Sequence, residues 1–348
     1  MPSLTPANNA IKLIKALKMK FKIIAAVLGL GIVAACHKTE FKDVVPTPEV
    51  DSTIVVSGYI SGGKVATLDA SNYQYVSRVN YYSLIPDATG AFQLSATDST
   101  NLANLKLKLT KSQQLFVTLG GTAGIANMKI MANDTTKRKN FINAVMAACN
   151  RWSINGIDID WDVAAVGDTT LLRQLSRKFS DTLHATGRLL TVALNVTPTS
   201  GATSKYAIAK NLNPSVDGFN IKAYDFSDGA GNQASLLQSQ YYLTLFLNNS
   251  VPVKKINLCV PFYGYSSAAN PKYMSYSDIV SAVPTLDSAS NTYSGYGFNG
   301  LKLVQDKVKY LRHNRFGGVV AWDLGQDVSA SSPYSLIKSI NRTSGTGN

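Results

Sequence analysis

Ile154-Asn155-Gly156-Ile157-Asp158-Ile159-Asp160-Trp161-Asp162 reads as one extended strand. Successive side chains of a strand point to opposite faces, so Asp158, Asp160 and Asp162 share one face while Ile157, Ile159 and Trp161 share the other. The apolar face requires a cover of helices. The acidic face places three carboxylates roughly 6.5 Å apart along the strand, a crowding that drives their pKa values apart. Acid-base chemistry or a cation site is the reading. Three merely solvated aspartates at a strand end are the alternative.

Outward from this strand, apolar strand-like runs alternate with helix-like ones. The strands are expected at Ile54 to Ile60, Val79 to Leu84, Leu115 to Leu119, Ile154 to Trp161, Leu189 to Val196, Val216 to Ala223, Ile256 to Phe262 and Gly318 to Trp322. Eight strands alternating with helices predict a closed (β/α)8 TIM barrel of the α/β class, a single domain over 53–343 with a tail at 344–348. A doubly wound open sheet is the runner-up, but no Gly-rich phosphate loop follows the first strand. Helical faces are expected from Phe141, Val145, Met146 and Cys149, from Leu171, Leu172, Leu175, Phe179 and Leu183 with Gly187 as C-terminal cap, from Leu236, Leu237, Tyr241, Leu243, Leu245 and Phe246, and from Leu303, Val304, Val308 and Leu311. Barrel enzymes carry their chemistry where strands end, which is where Asp158, Asp160 and Asp162 lie.

The 348-residue chain is 45% hydrophobic and 16% charged, sufficient to bury one large core. Its net charge is +13, but the Lys and Arg residues are scattered, with Lys137-Arg138-Lys139 the densest local cluster. They read as solvated faces, and no nucleic-acid partner is expected. Glu40 and Glu49 are the only glutamates, both upstream of the first strand-like run, so carboxylate catalysis in the folded part falls to aspartate. His37, His184 and His313 are not placed with cysteines at metal-ligand spacing, and no nucleophile elbow is present. No metal and no cofactor are expected. Cys149 and Cys259 lie in apolar-periodic segments and read as buried free thiols.

The start of the chain reads as an export signal. A basic start at Met19 to Lys22 precedes an apolar run from Ile23 that is too short to span a membrane. Residues 1–18 fit poorly ahead of such a signal, so Met19 is the expected start. Val33-Ala34-Ala35-Cys36 resembles a bacterial lipobox, which implies cleavage before Cys36, lipidation of its thiol, and anchoring in the cell envelope, at the outer membrane. Residues 37–52 read as a flexible tether.

Over 53–330 the chain resembles glycoside hydrolase family 18, the chitinases and endo-β-N-acetylglucosaminidases. Asn155-Gly-Ile-Asp158-Ile-Asp160-Trp-Asp162 is similar to the family's Asp-x-x-Asp-x-Asp-x-Glu signature. Thr118-Leu-Gly120-Gly121 looks like its third-strand element, and Lys222-Ala-Tyr224-Asp225 like its sixth. Val260-Pro-Phe262-Tyr263-Gly264 and Gly318-Val-Val-Ala-Trp322-Asp323 are similar to the seventh and eighth. The resemblance implies a substrate-assisted retaining mechanism, an exception to the two-carboxylate scheme. Carried over, Asp162 is the general acid, Asp160 orients the acetamido group, Asp158 shares charge with Asp160, and Tyr224 hydrogen-bonds the acetamido oxygen. Asp225 positions the sugar and Trp322 stacks under it; Tyr59, Lys222, Gly120 and Gly121 complete the expected substrate-binding set. The implied partner is an oligosaccharide containing N-acetylglucosamine.

The motif departs from the family at three positions. Asp162 stands where the family has glutamate, which withdraws the proton donor by about 1.5 Å, and misplacement of about 1 Å can cost on the order of a hundredfold in rate. Lys222 stands in place of methionine and should point into the barrel, where an ammonium favours ionised carboxylates. Asn155 replaces a more distant aspartate. The leading expectation is hydrolysis of β-1,4 linkages in such glycans; the alternative is a catalytically silent glycan-binding barrel. A Lys222 tied to Asp158 or Asp160 leaves catalysis open, whereas one tied to Asp162 disables the acid. The segment from Tyr265 to Gly318 is expected to leave no room for an α+β insertion, giving a shallow cleft, with Tyr265, Tyr273, Tyr276, Tyr293 and Tyr296 either stacking on sugar or packing the loop down.

Overall fold

Ile157 and Ile159 are fully enclosed, and Phe179 and Leu183 of the helix that follows are likewise without exposure. Asp158 and Asp160 turn the other way and are also buried, so the strand is covered on both faces. A parallel strand covered on both faces belongs to a closed or doubly wound sheet. The computed structural model, which describes residues 52–163, 165–196, 204–228, 230–266 and 272–346, closes the sheet.

The barrel strands are β1 (Val55–Ser61), β2 (Arg78–Leu84), β3 (Gln114–Gly120), β4 (Gly156–Asp160), β5 (Leu189–Asn195), β6 (Gly218–Lys222), β7 (Ile256–Pro261) and β8 (Gly318–Trp322). Each pairs in parallel with its neighbours in sequence, and β8 closes on β1 through Val56 opposite Val319. The connecting helices are α1 (Ala96–Lys108), α2 (Ile125–Asn133), α3 (Thr135–Trp152), α4 (Val166–His184), α5 (Lys205–Leu212), α6 (Leu236–Asn248) and α7 (Leu301–His313), with α8 (Leu336–Thr343) closing the chain. Their starts follow from local chemistry. Asp134 caps α3 by accepting from the Thr136 and Lys137 amides, and Ser235 with Gln238 forms a capping box on α6. Gly187, at φ +69°, turns the chain after α4 and returns its amide to His184.

The expected face of α6 is only half right. Leu243 and Phe246 are enclosed, but Leu237 and Tyr241 lie on the solvent side at 76% and 60% exposure. A helix that is apolar nearly all round gives its periodicity no way to choose a face. Ser344, assigned to the tail on sequence, is enclosed and accepts from the Ile54 amide, so the fold runs past 343. Cys149 and Cys259 are free and buried, as expected. The signal, Cys36 and the tether up to residue 51 lie outside the described residues, while Ser52 donates to the Arg312 carbonyl at 2.7 Å.

One expectation is overturned. After β7 the chain builds a four-stranded antiparallel sheet, ordered Thr292–Tyr293, Tyr296–Gly297, Tyr263–Tyr265, Tyr273–Ser275, together with a short helix at Tyr276–Ala282. A small α+β lobe therefore fits where none was expected, because strands of two and three residues consume little chain. Enclosed Tyr276, Ile279 and Phe298 form its core, while Tyr273 stays 57% exposed.

Candidate active site

The register of the barrel assembles the site. Asp158 of β4 lies between Thr118 of β3 and Thr191 of β5, and Asp160 lies opposite Gly120. The Asp158 carboxylate is fully buried and receives four hydrogen bonds: Thr191 Oγ1 at 2.7 Å, Tyr59 Oη at 2.8 Å, Asn220 Nδ2 at 3.0 Å and Thr118 Oγ1 at 3.3 Å. Asn257 in turn holds the Asn220 carbonyl at 3.1 Å. Burial pushes the Asp158 carboxyl above its ordinary range, with the Thr191 hydrogen bond pulling the other way. Tyr59, expected as a sugar contact, is 1% exposed with its hydroxyl on Asp158, which makes it a positioning residue.

One level higher, Lys222 Nζ sits 2.6 Å from Asp160 Oδ1, both side chains nearly enclosed. Burial alone would lower the ammonium pKa, but Asp160 outweighs it and the net shift is upward. Lys222 therefore points into the barrel as expected, and its partner is Asp160 rather than Asp162.

Asp162 lies just beyond the end of β4 and has 38% of its side chain exposed. Lys205 Nζ, from the first residue of α5, is 2.6 Å from its Oδ1, and Asn195 Nδ2 is 3.0 Å from its Oδ2. The same ammonium donates to the Val163 carbonyl at 2.8 Å. Partial burial would raise the Asp162 carboxyl, but the Lys205 hydrogen bond and charge outweigh it and hold the group below its ordinary range. Lys205 is a charged contact of the carboxylate column that the sequence did not point to. It lies 43 residues from Asp162 with no motif around it.

Tyr224 is enclosed, and its hydroxyl has no hydrogen-bond partner among the described residues. Asp225 adopts φ +64° and accepts from Tyr263 Oη at 2.5 Å; burial raises its carboxyl. Half-buried Trp322 stands edge-on to Tyr59 and Tyr82, ring centroids 5.1 and 4.7 Å away. Together with Tyr263, Tyr265 and Val320 these rings pack into one apolar cluster beside Tyr224.

Gly120 and Gly121, expected in the substrate-binding set, act on packing. Both have positive φ; a Cβ on Gly120 would lie 2.4 Å from the Asp160 carbonyl, and one on Gly121 would lie 2.1 Å from the Tyr82 hydroxyl. They let β3 approach β4 and leave room for Tyr82 beside Trp322. Asn155 accepts from the Leu115 amide at 2.8 Å and so ties β4 to β3 below the site. Among the described residues no three His, Cys, Asp or Glu side chains are grouped to hold a metal ion.

The family model for "Glycosyl hydrolases family 18" matches residues 9–327. Endochitinase 1 of Metarhizium anisopliae is 25% identical over 277 residues, 64% of this chain, and the chain spans 64% of that relative's length. A chitinase from Bacteroides thetaiotaomicron superposes with a TM-score of 0.72 at 20% identity, covering 84% of this chain and 96% of the other. A class V chitinase from Nicotiana tobaccum, solved in complex with NAG4, gives 0.71 at 20%, covering 83% and 98%. With that match, a closed parallel barrel and the carboxylate column at the end of its fourth strand, the chain belongs to glycoside hydrolase family 18.

Proposed function

We propose that this barrel binds β-1,4-linked glycans containing N-acetylglucosamine in the cleft over Asp160, Tyr224 and Trp322, and that two lysines hold its turnover far below that of a barrel with a free glutamate at position 162. Family membership supports action on chitin or related glycans. The observation that carries the rest is the pair of contacts at 2.6 Å, Lys205 on Asp162 and Lys222 on Asp160.

Substrate-assisted cleavage needs three things of these residues. A protonated carboxyl must reach the leaving oxygen, a carboxylate must orient the acetamido N–H, and negative charge must face the cationic intermediate. Asp162 is short by a methylene, and Lys205 favours its ionised form. Lys222 occupies one Asp160 oxygen and offsets its charge where positive charge develops. Binding makes smaller demands: Asp160 keeps Oδ2 to accept an N–H, the buried Tyr224 hydroxyl has no protein partner and can donate to an acetamido oxygen that reaches it, and Trp322 offers a ring.

A second reading, hydrolysis as this chain's main activity with Asp162 as acid, is favoured by the 38% exposure of the Asp162 side chain. Chitotetraose titrated into the purified chain and then analysed for cleavage separates the two. Saturable binding with intact tetrasaccharide supports the first; prompt release of shorter sugars supports the second. Attachment to the envelope through Cys36 is proposed alongside, from its lipobox-like context; loss of fatty-acid labelling in Cys36→Ser tests it.

A further inference from the structure

Over the outer side of α4 lies a groove of 660 Å³ lined by Arg138, Arg173, Arg177 and Lys178 together with Asn211 and Ser215. None of these residues belongs to the carboxylate cleft, and no carboxylate lines the groove. Of the nearby acids, Asp168 pairs with Lys129 at 2.9 Å, Asp134 caps α3 and also feels the charge of Arg138, Asp217 is held by His184 and the Leu190 amide, and Asp181 stands one turn after Arg177 on α4 outside the groove lining. None of the four cations lies within ion-pair distance of a carboxylate among the described residues.

Arg173 and Arg177 stand one helical turn apart, where like charges repel each other, so the arrangement weakly opposes the helix. Arg138 is fixed by donating to the Ala132 carbonyl at 2.6 Å, which commits one of its five N–H groups. Guanidinium forks match the oxygens of phosphate and sulfate two at a time, and the Asn211 amide and Ser215 hydroxyl suit sugar hydroxyls. A concavity of several hundred Å³ fits a discrete molecule, whereas a bilayer would meet a flat or convex basic face.

We propose that this groove binds a saccharide bearing sulfate or phosphate esters, engaging at least two of those groups through Arg173 and Arg177, independently of the cleft. Sucrose octasulfate is the probe, titrated calorimetrically into the full chain. It should bind saturably at low salt and weaken as salt is raised. Arg173→Ala with Arg177→Ala should weaken it at least tenfold; Arg173→Lys with Arg177→Lys should fall between, since lysine keeps the charge and lacks the fork. Lys254→Ala with Lys309→Ala removes the same charge from exposed sites elsewhere and should change affinity less than twofold. Chitotetraose binding should be unchanged in every variant, which also reports an intact fold. Equal losses in the two alanine pairs would reduce the effect to net charge and overturn the proposal. So would absence of octasulfate binding, or capture of phosphatidylglycerol vesicles through these arginines without octasulfate binding.

Discussion

If Asp162 is the acid, as proposed, the Lys205 contact that keeps its carboxyl below the ordinary range opposes catalysis, and removing it while restoring the missing methylene should create measurable turnover. The perturbation is Lys205→Met with Asp162→Glu. In the native site both Asp162 oxygens are occupied, Oδ1 by the ammonium at 2.6 Å and Oδ2 by Asn195 at 3.0 Å. Methionine keeps the buried stem and removes the charge; glutamate advances the carboxyl by about 1.5 Å, and a deficit of about 1 Å can be worth on the order of a hundredfold. A positioned general acid contributes about 10²–10⁴, so the double variant should exceed the native rate by on the order of a hundredfold or more, and each single variant should gain less. Lys222 remains and keeps the double variant below an unhindered site. The fold should survive, because the losses are the ion pair to a partly exposed carboxylate and one donor to the Val163 carbonyl, the latter a cost of about 1–3 kcal/mol. The assay is release of nitrophenol from a nitrophenyl chitobioside at pH 5 and pH 7, with thermal unfolding and chitotetraose binding as controls. A double variant that folds and binds like the native chain yet releases no more nitrophenol would refute the reasoning.

Tyr224→Phe should raise the Kd for chitotetraose about tenfold while leaving Tm unchanged or higher, since the deleted hydroxyl has no protein partner; a lower Tm with unchanged Kd would make it structural. Gly121→Ala should destabilise the fold by about 2–3 kcal/mol and weaken sugar binding, because its Cβ would drive Tyr82 away from Trp322; denaturant titration and calorimetry read both. Lys307 is fully enclosed, donates to Asn299 Oδ1 at 2.5 Å, and burial lowers its pKa to about 7. The unfolded chain then binds the extra proton between about pH 7 and the ordinary lysine value, so unfolding free energy should rise with pH there, by at most roughly 1.4 kcal/mol per unit, and Lys307→Met should flatten that rise. Asp162 has a lowered folded pKa, so its contribution to stability is present above the ordinary carboxylate pKa and lost as pH falls through the lower folded value; Asp162→Asn should remove that component of acid unfolding.

The barrel was legible because parallel strands buried on both faces read as apolar runs, and all eight begin and end within two residues of where alternation and turn signals put them. The inward aspect of Lys222 followed from strand parity with Tyr224. Parity could not choose between carboxylates one level apart, and Asp160 is the partner. Thr191 and Asn220 beside Asp158 were invisible because threonine and asparagine in a strand carry no chemical signal until the register brings them to a buried carboxylate; Thr118 was visible only as part of the third-strand element. Lys205 was invisible for a related reason: it is an ordinary helix residue whose role comes from where α5 begins in space. The lobe after β7 was missed because strands of two or three residues fall below the length at which period-two alternation can be counted.

The central claim is that a family 18 cleft is kept here for binding by lysines placed on its two outer carboxylates. The native chain, saturated with chitotetraose at pH 7 and sampled over hours by mass spectrometry, tests it. Saturable binding with the tetrasaccharide intact, or cleaved orders of magnitude more slowly than about one turnover per second, is the predicted result. Turnover at one per second or faster would contradict it.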